Sequence, residues 1–280
     1  MNFTKCHGAG NDFVVIDART LTLPSNDQAR RMCDRHYGIG SDGVILLMNS
    51  VTADLKMRMF NPDGSEAGAC GNGLRCFVKY AVDRGIVTEP IFRVETLGGV
   101  REVSAFKDDL NHVSEAELSM GAPGLEPEDI PADLPGFTGP VLEYPVETAE
   151  RTVVVSMVSM GNPHAVTFVD TDVNDYPLHA VGPVMEHHPL FPCRVNFEVA
   201  RILGRGDISA RVWERGAGET LACGSGACAI AVAARLLGRC DDTVRIHLPG
   251  GVLAITWPGG ETEVRLRGPV EEVFSGDWPD

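Results

Sequence analysis

Arg58-Met59-Phe60-Asn61-Pro62-Asp63-Gly64-Ser65-Glu66-Ala67-Gly68-Ala69-Cys70-Gly71-Asn72-Gly73 is written a second time in this chain, 153 residues on. The second copy reads Arg211-Val212-Trp213-Glu214-Arg215-Gly216-Ala217-Gly218-Glu219-Thr220-Leu221-Ala222-Cys223-Gly224-Ser225-Gly226. Between residues 57 and 73, six of 17 positions are identical (Arg58, Glu66, Ala69, Cys70, Gly71 and Gly73). Average residue frequencies would give about one. At the same offset Gly85 falls on Gly238. At 152, Arg93 meets Arg245 and Gly98-Gly99-Val100 meets Gly250-Gly251-Val252; at 151, Gly10-Asn11 meets Gly161-Asn162. Collinear matches at three adjoining offsets argue for one domain used twice. A solenoid would repeat every ~20–50 residues.

Both copies predict the same local order. An apolar strand (Leu55 to Phe60; Ile208 to Trp213) enters a polar, Gly-rich loop, and the Cys and a helix follow. The helices are expected over Asn72 to Arg84 and Ser225 to Leu237, each stopped by a Gly just beyond, Gly85 and Gly238. Two short strands around a Gly-Gly turn come next (Phe92–Val103; Val244–Trp257). The second helix is apolar nearly all round, which requires enclosure on every side; a strand-rich shell would supply it. The expected fold class is therefore α/β (α+β), with two pseudo-symmetric domains. The boundary is placed near Leu118-Ser119-Met120-Gly121, giving residues 1–118, completed by 269–280, and residues 119–268. The stretch Ala122 to Pro145 carries six prolines and reads as irregular structure outside the core.

A length of 280 residues also points to about two domains. With 24 Lys+Arg against 39 Asp+Glu, the net charge of −15 disfavours phosphate backbones and anionic lipid, so neither nucleic acid nor membrane is an expected partner. The eight cysteines include no CxxC and no zinc-finger spacing, so no metal is assigned. The first residues lack an apolar signal-peptide core, and the longest apolar run, Ala227 to Leu237, is too short to span a bilayer. Reduced thiols in the cytoplasm are the expected setting.

Each Cys-Gly-x-Gly turn places a thiol where a helix begins. The first amides of a helix lack internal partners and carry partial positive charge. That field should lower the Cys pKa and favour thiolate, and the same amides can cradle a carboxylate or phosphate. Related halves often present ligands at their shared cleft. Two thiols meeting there from opposite sides would suit inversion at a carbon bearing an acidic hydrogen: one removes a proton, and the other delivers one to the opposite face.

Asn61-Pro62-Asp63-Gly64-Ser65, Gly71-Asn72-Gly73 and Arg75, with Cys70 between them, closely resemble the first signature of the diaminopimelate epimerase family; Trp213 to Gly226 resembles the second. His7-Gly8-Ala9-Gly10-Asn11-Asp12-Phe13, Ser159-Met160-Gly161-Asn162-Pro163-His164 and Leu248-Pro249-Gly250-Gly251 resemble three further family motifs. The resemblance implies an isomerase that converts LL-2,6-diaminopimelate to the meso form, for lysine and peptidoglycan precursor synthesis, without pyridoxal phosphate, metal or other cofactor. It implies two β-barrel-like sheets, each wrapped around a central helix, with the active site in the cleft between them, and a possible homodimer.

By the same resemblance the catalytic pair is Cys70 and Cys223, supported by His164 and Glu214. Substrate contacts fall to Asn11, Asn61, Gly71, Asn72, Asn162, Asn196, Glu214, Arg215, Gly224 and Ser225. Arg215 can grip a carboxylate bidentately, and Glu214 can accept from an ammonium. Some family members carry Gln where this chain has Gly43, so no contact is assigned there. Cys76 and Cys228 read as core; Cys33, Cys193 and Cys240 as structural or incidental; Cys6, beside the first motif, receives no role; and His187-His188 reads as loop. The competing readings are a racemase of the same two-thiol type acting on proline, a thiol–disulfide redox protein and a non-catalytic amino-acid binder.

Overall fold

The computed structural model describes residues 1–20, 25–68 and 70–279. Ala69, the residue before the first thiol, lies outside the described residues. The chain divides into two compact units, Met1–Ser119 with Arg267–Asp280, and Met120–Leu266.

The first unit starts with strands β1 (Asn2–Gly8), β2 (Asn11–Asp17), β3 (Gly43–Met48), β4 (Leu55–Phe60) and β5 (Glu66–Ala67), with helix α1 (Asn26–Cys33) between β2 and β3. Helix α2 (Gly71–Asp83) follows, then β6 (Ile91–Thr96), β7 (Gly99–Lys107) and β8 (Val113–Ser119). β1–β2 and β3–β4 pair antiparallel, β2–β3 and β4–β6 parallel. A parallel pair needs a crossover connection, and α1 supplies the one between β2 and β3. It begins with a capping box in which the Ser25 hydroxyl accepts from Gln28 N–H and the Gln28 amide oxygen accepts from Ser25 N–H.

The second unit repeats this order. Its strands are β9 (Tyr144–Glu147), β10 (Thr152–Ser159), β11 (Pro163–Phe168), β12 (Asn196–Gly204), β13 (Asp207–Glu214), β14 (Gly218–Thr220), β15 (Thr243–Leu248) and β16 (Gly251–Thr256). Helix α3 (Leu178–Glu186) crosses between β11 and β12, and α4 (Gly224–Leu236) follows β14. β10–β11 pair antiparallel, β11–β12 parallel, β12–β13 antiparallel and β13–β15 parallel, matching the first unit pair for pair. β17 (Arg265–Pro269) carries the chain out of this unit, and β18 (Glu271–Asp277) pairs antiparallel with β1 in the first.

The strands of each unit surround one helix. α2 packs against β1, β2, β3, β4, β7, β8 and β18; α4 packs against β10, β11, β12, β15 and β16. From Ala227 to Ala234 every residue of α4 is buried, as its all-round apolar sequence requires. Burying one such side chain as large as Ile230 contributes about 1.5–3 kcal/mol. Both helices start and end one residue earlier than expected, and the foreseen Gly directly follows the C-cap residue in each. Gly85 (φ 65°) and Gly238 (φ 68°) adopt the left-handed region that favours Gly. Ile86 N–H then donates to Ala81 O at 2.9 Å, and Arg239 N–H to Ala234 O at 2.8 Å, completing a Schellman motif in each. The outer faces of β2 and β3 bury Val14, Ile16, Val44 and Leu46 against Ala29 and Met32 of α1. In the second unit Ala165, Phe197 and Val199 share a core with Leu178, Val181 and Met185 of α3.

One expectation is overturned. The proline-rich stretch is irregular, but it belongs to the core: Ile130 and Val141 are buried in the same cluster as Val155 and Phe197. Proline removes an amide donor, which prevents regular pairing and leaves apolar side chains free to pack. Val141 still accepts a backbone hydrogen bond from Met157, and Gly124 bridges Ser159.

Candidate active site

Cys70 and Cys223 occupy the same place in their units, as the residue capping the N-terminus of the central helix. Both are extended (φ −133°, ψ 120°; φ −113°, ψ 114°), and Gly71 and Gly224 are the first helical residues.

Around Cys70 the polar groups form a chain. Asn11 enters β2 from a tight turn in which Ala9 and Gly10 have φ of 54° and 82°. Its Oδ1 lies 3.7 Å from Cys70 Sγ and accepts from Asn72 Nδ2 at 3.1 Å. Its Nδ2 donates to Asp42 Oδ2 at 2.6 Å. Asn72 Oδ1 accepts from Arg75 one helical turn on, at 2.9 Å, and Arg75 Nε donates to Pro269 O at 3.1 Å. Arg35 bridges Asp42 and Asp12, each at 2.7 Å, and Lys5 pairs with Asp12. Burial works against ionisation of Asp12, but the hydrogen bonds from Arg35 and Lys5 hold its pKa at about 2. Asn61, just after β4, is engaged within its own turn, donating through Nδ2 to Ser65 Oγ at 3.0 Å.

The second half-site is built differently. Cys223 is 5% exposed, and its Sγ lies 3.5 Å from Ser225 Oγ. Beneath it, His164 on β11 and Glu198 on β12 are both fully buried, with Nδ1 and Oε1 2.6 Å apart. His164 Nε2 lies 3.0 Å from Asn162 Oδ1. Asn196 is a brace: its Nδ2 donates to Pro163 O at 2.8 Å and its Oδ1 accepts from Arg215 N–H at 2.9 Å. The guanidinium of Arg215 donates to Cys193 O at 3.0 Å and is otherwise on an exposed stretch. Glu214 accepts from Thr220 Oγ1.

The electrostatics correct one expectation. The helix terminus should lower the thiol pKa, yet Cys223 is pushed well above the ordinary value. Desolvation is the main cause; the Glu214 and Glu198 carboxyls add to it, and hydrogen bonds from Ser225 and Gly226 oppose it without prevailing. Removing the sulfur from water outweighs partial charges that act over one turn. Cys76 and Cys228 are fully buried, as expected of core residues, and burial raises Cys76 as well. Cys6 is also buried, and desolvation takes its pKa to about 12.

The structure thus joins Cys70, Asn11 and Asn72 in one network, His164 and Asn162 in a second, and Asn196 with Arg215 in a third. Sequence reasoning assigned no role to three participants. Asp42 is an ordinary-looking loop acid. Arg75 stands three residues after Asn72, a spacing that shares a helix face. Glu198 offered the clearest signal, an acid two residues after Asn196 and set between the apolar Phe197 and Val199. Alternation puts those two on the same side of β12.

The chain resembles known proteins over its whole length. A family model for diaminopimelate epimerase matches residues 3–125 and 156–273. A diaminopimelate epimerase of Moorella thermoacetica is 48% identical over 281 aligned residues, covering 100% of this chain and 99% of that protein. One from Synechocystis is 46% identical, covering 99% and 98%. Among solved structures, a hydroxyproline epimerase from Agrobacterium vitis superimposes with a TM-score of 0.72 at 16% identity, covering 99% of this chain and 90% of that one. A PhzF-family phenazine biosynthesis protein from Bacillus anthracis gives 0.68 at 14%, covering 99% and 98%. These distant structures share the fold, two mixed α+β halves. The close relatives and the family model decide the rest: the chain belongs to the diaminopimelate epimerase family.

Proposed function

We propose that this protein epimerises LL-2,6-diaminopimelate to the meso form with Cys70 and Cys223 as the two acid–base groups. One thiolate takes the α-hydrogen as a proton, and the other thiol returns a proton to the opposite face; the roles exchange in the reverse direction. Positioned acid–base groups of this kind contribute roughly 10²–10⁴-fold each. The observation that carries the reading is the repeated placement of a Cys as the N-cap of an enclosed helix. The leading amides of α2 and α4 are suited to hold the substrate α-carboxylate as negative charge develops at the neighbouring carbon. Burial keeps Cys223 protonated when no ligand is bound, ready to act as the donor.

Asn11, Asn72 and Asn162 supply amide contacts in this reading, with Asn61, Asn196, Glu214 and Arg215 grouped toward the distal amino-acid end of the substrate. Arg215 matches a carboxylate and Glu214 an ammonium. A proline site would need no such second grip, which disfavours the proline racemase alternative. The halves 1–118 with 269–280 and 119–268 are in this view copies of one ancestral domain. A small-molecule substrate in the cytoplasm, with no nucleic-acid or membrane partner, fits the acidic charge; light scattering tests whether the enzyme is a homodimer.

The deciding experiment is proton exchange in D₂O under reducing conditions. Purified protein should incorporate deuterium at the α-carbon of diaminopimelate and leave proline untouched. Absence of exchange would remove the epimerase reading.

A further inference from the structure

The buried pair beneath Cys223 contains a proton whose position can be worked out. Asn162 Oδ1 only accepts hydrogen bonds, so His164 Nε2, 3.0 Å away, must carry a hydrogen. His164 Nδ1 and Glu198 Oε1, 2.6 Å apart, then share one more. It belongs either to an imidazolium facing a carboxylate or to a carboxylic acid facing a neutral ring. Glu198 Oε2 decides between them, because it is buried and accepts no hydrogen bond. A carboxylate with one oxygen orphaned in the interior bears a desolvation cost that a single partner does not offset. The unpartnered carbonyl oxygen of a neutral acid is much less costly. The surroundings agree: desolvation is the main influence on Glu198 and pushes its pKa up, and the nearby Glu214 carboxyl adds to it, with His164 opposing without prevailing.

We propose that Glu198 is a positioning residue for the reaction: its protonated Oε1 donates to His164 Nδ1, fixes the ring as the neutral Nε2–H tautomer, and thereby locks the orientation of the Asn162 amide. With Oδ1 held by His164, the two Nδ2 hydrogens of half-buried Asn162 remain for an acceptor on the substrate. The relay lies against the thiol. A Cβ added to Gly226 would stand 2.9 Å from Glu198 Oε1 and 3.4 Å from Cys223 Sγ. The bare glycine is what lets acid and thiol approach the same point of α4.

The role is specific to this half. The ladder pairs His164 with Asn196 in β11–β12 and Phe13 with Gly43 in β2–β3. Two residues further along each second strand stand Glu198 and Ile45. The first unit therefore has Phe13 and Ile45 where the second has His164 and Glu198, and Gly73 touches that apolar pair as Gly226 touches Glu198. Asn11 is instead oriented by Asp42 and Asn72.

The inference rests on the epimerase reading for its kinetic consequence, but its test has an independent readout. Nitrogen-15 NMR of the histidine side chains, with His164 assigned by its loss in His164→Phe, reports the tautomer directly. Wild type and Glu198→Gln should both show a neutral Nε2–H ring, because the Gln amide can replace the acid as donor. Glu198→Met should lose the lock. Its KM for diaminopimelate should rise about tenfold, one net hydrogen bond's worth, with a smaller change in kcat, and Glu198→Gln should restore KM toward wild type. An imidazolium or an Nδ1–H ring in wild type overturns the proposal, and so does an unchanged KM in folded Glu198→Met. If Glu198→Met does not fold, the wild-type spectrum still decides. Wild-type protein that fails to exchange the α-hydrogen would count against the epimerase reading alone.

Discussion

The two units share a backbone plan and differ in what lies under the thiol. Beneath α2 the strands offer Phe13 and Ile45; beneath α4 they offer His164 and Glu198. The amides beside the two thiols also differ. Asn11 gives both hydrogen-bonding ends to neighbours within its unit, its oxygen nearest Cys70. Asn162 gives its oxygen to His164 and keeps its nitrogen. A duplicated scaffold thus supplies matched positions for two sulfurs without making them chemically alike. That suits a reaction in which one group must give a proton while the other takes one.

The largest expected effect strips the comparison to what the halves share. Cys70→Ser and Cys223→Ser should each lower epimerisation by at least ~10²-fold, with circular dichroism and melting temperature close to wild type. Near-full turnover in either variant would mean that the two positions are not a working pair. A smaller effect separates the halves. Gly226→Ala drives a methyl against Glu198 Oε1 and Cys223 Sγ, whereas Gly73→Ala meets the end of Ile45 at 3.1 Å. Overpacking of this kind costs about 1–3 kcal/mol, so urea denaturation should find Gly226→Ala the less stable of the two. Equal losses would remove the asymmetry of the floors as a physical distinction. The mildest test is of protonation. Because the Cys223 pKa is raised, less thiolate is present at a given pH. Its alkylation by iodoacetamide, followed by peptide mass spectrometry, should keep accelerating well above the ~8.5 typical of a free thiol. A rate that levels off at or below that pH would show that burial does not control this sulfur.

The repeat carried much of the architecture into view because its marks are local. A Cys, a Gly that tolerates close approach, and a Gly beyond the helix end can each be read from a few neighbours, and α2 and α4 begin and end within a residue of expectation. The crossover helices α1 and α3 were not visible. They are 8 and 9 residues long, the second contains Pro183, and they lie where the copies have diverged. The buried prolyl segment was misread because composition reports regularity better than it reports burial: Ile130 and Val141 pack despite their prolines. In the site, residue identities were legible and charge states were not. A helix terminus argues for thiolate in any sequence; only three-dimensional placement reveals that Cys223 is desolvated beside two carboxyls. Glu198 was hidden for the same reason, since its meaning depends on a diagonal neighbour on another strand.

The return of β18 to pair with β1 bears on the order of events during synthesis. The unit spanning Met120–Leu266 is one uninterrupted segment, so it can close its shell as soon as it clears the ribosome. The other unit begins first and finishes last. The β1 edge opposite β2 waits for residues 271–277, and Met1 N waits for Trp278 O, 2.7 Å away in the finished fold. Domains generally fold as units in the order in which they are made; here the later-made unit is ready first. During that interval the β1 edge is an open template for strand pairing. Its charged and polar side chains, Asn2, Lys5 and His7 among them, are the kind that make such an edge a poor partner for another nascent chain.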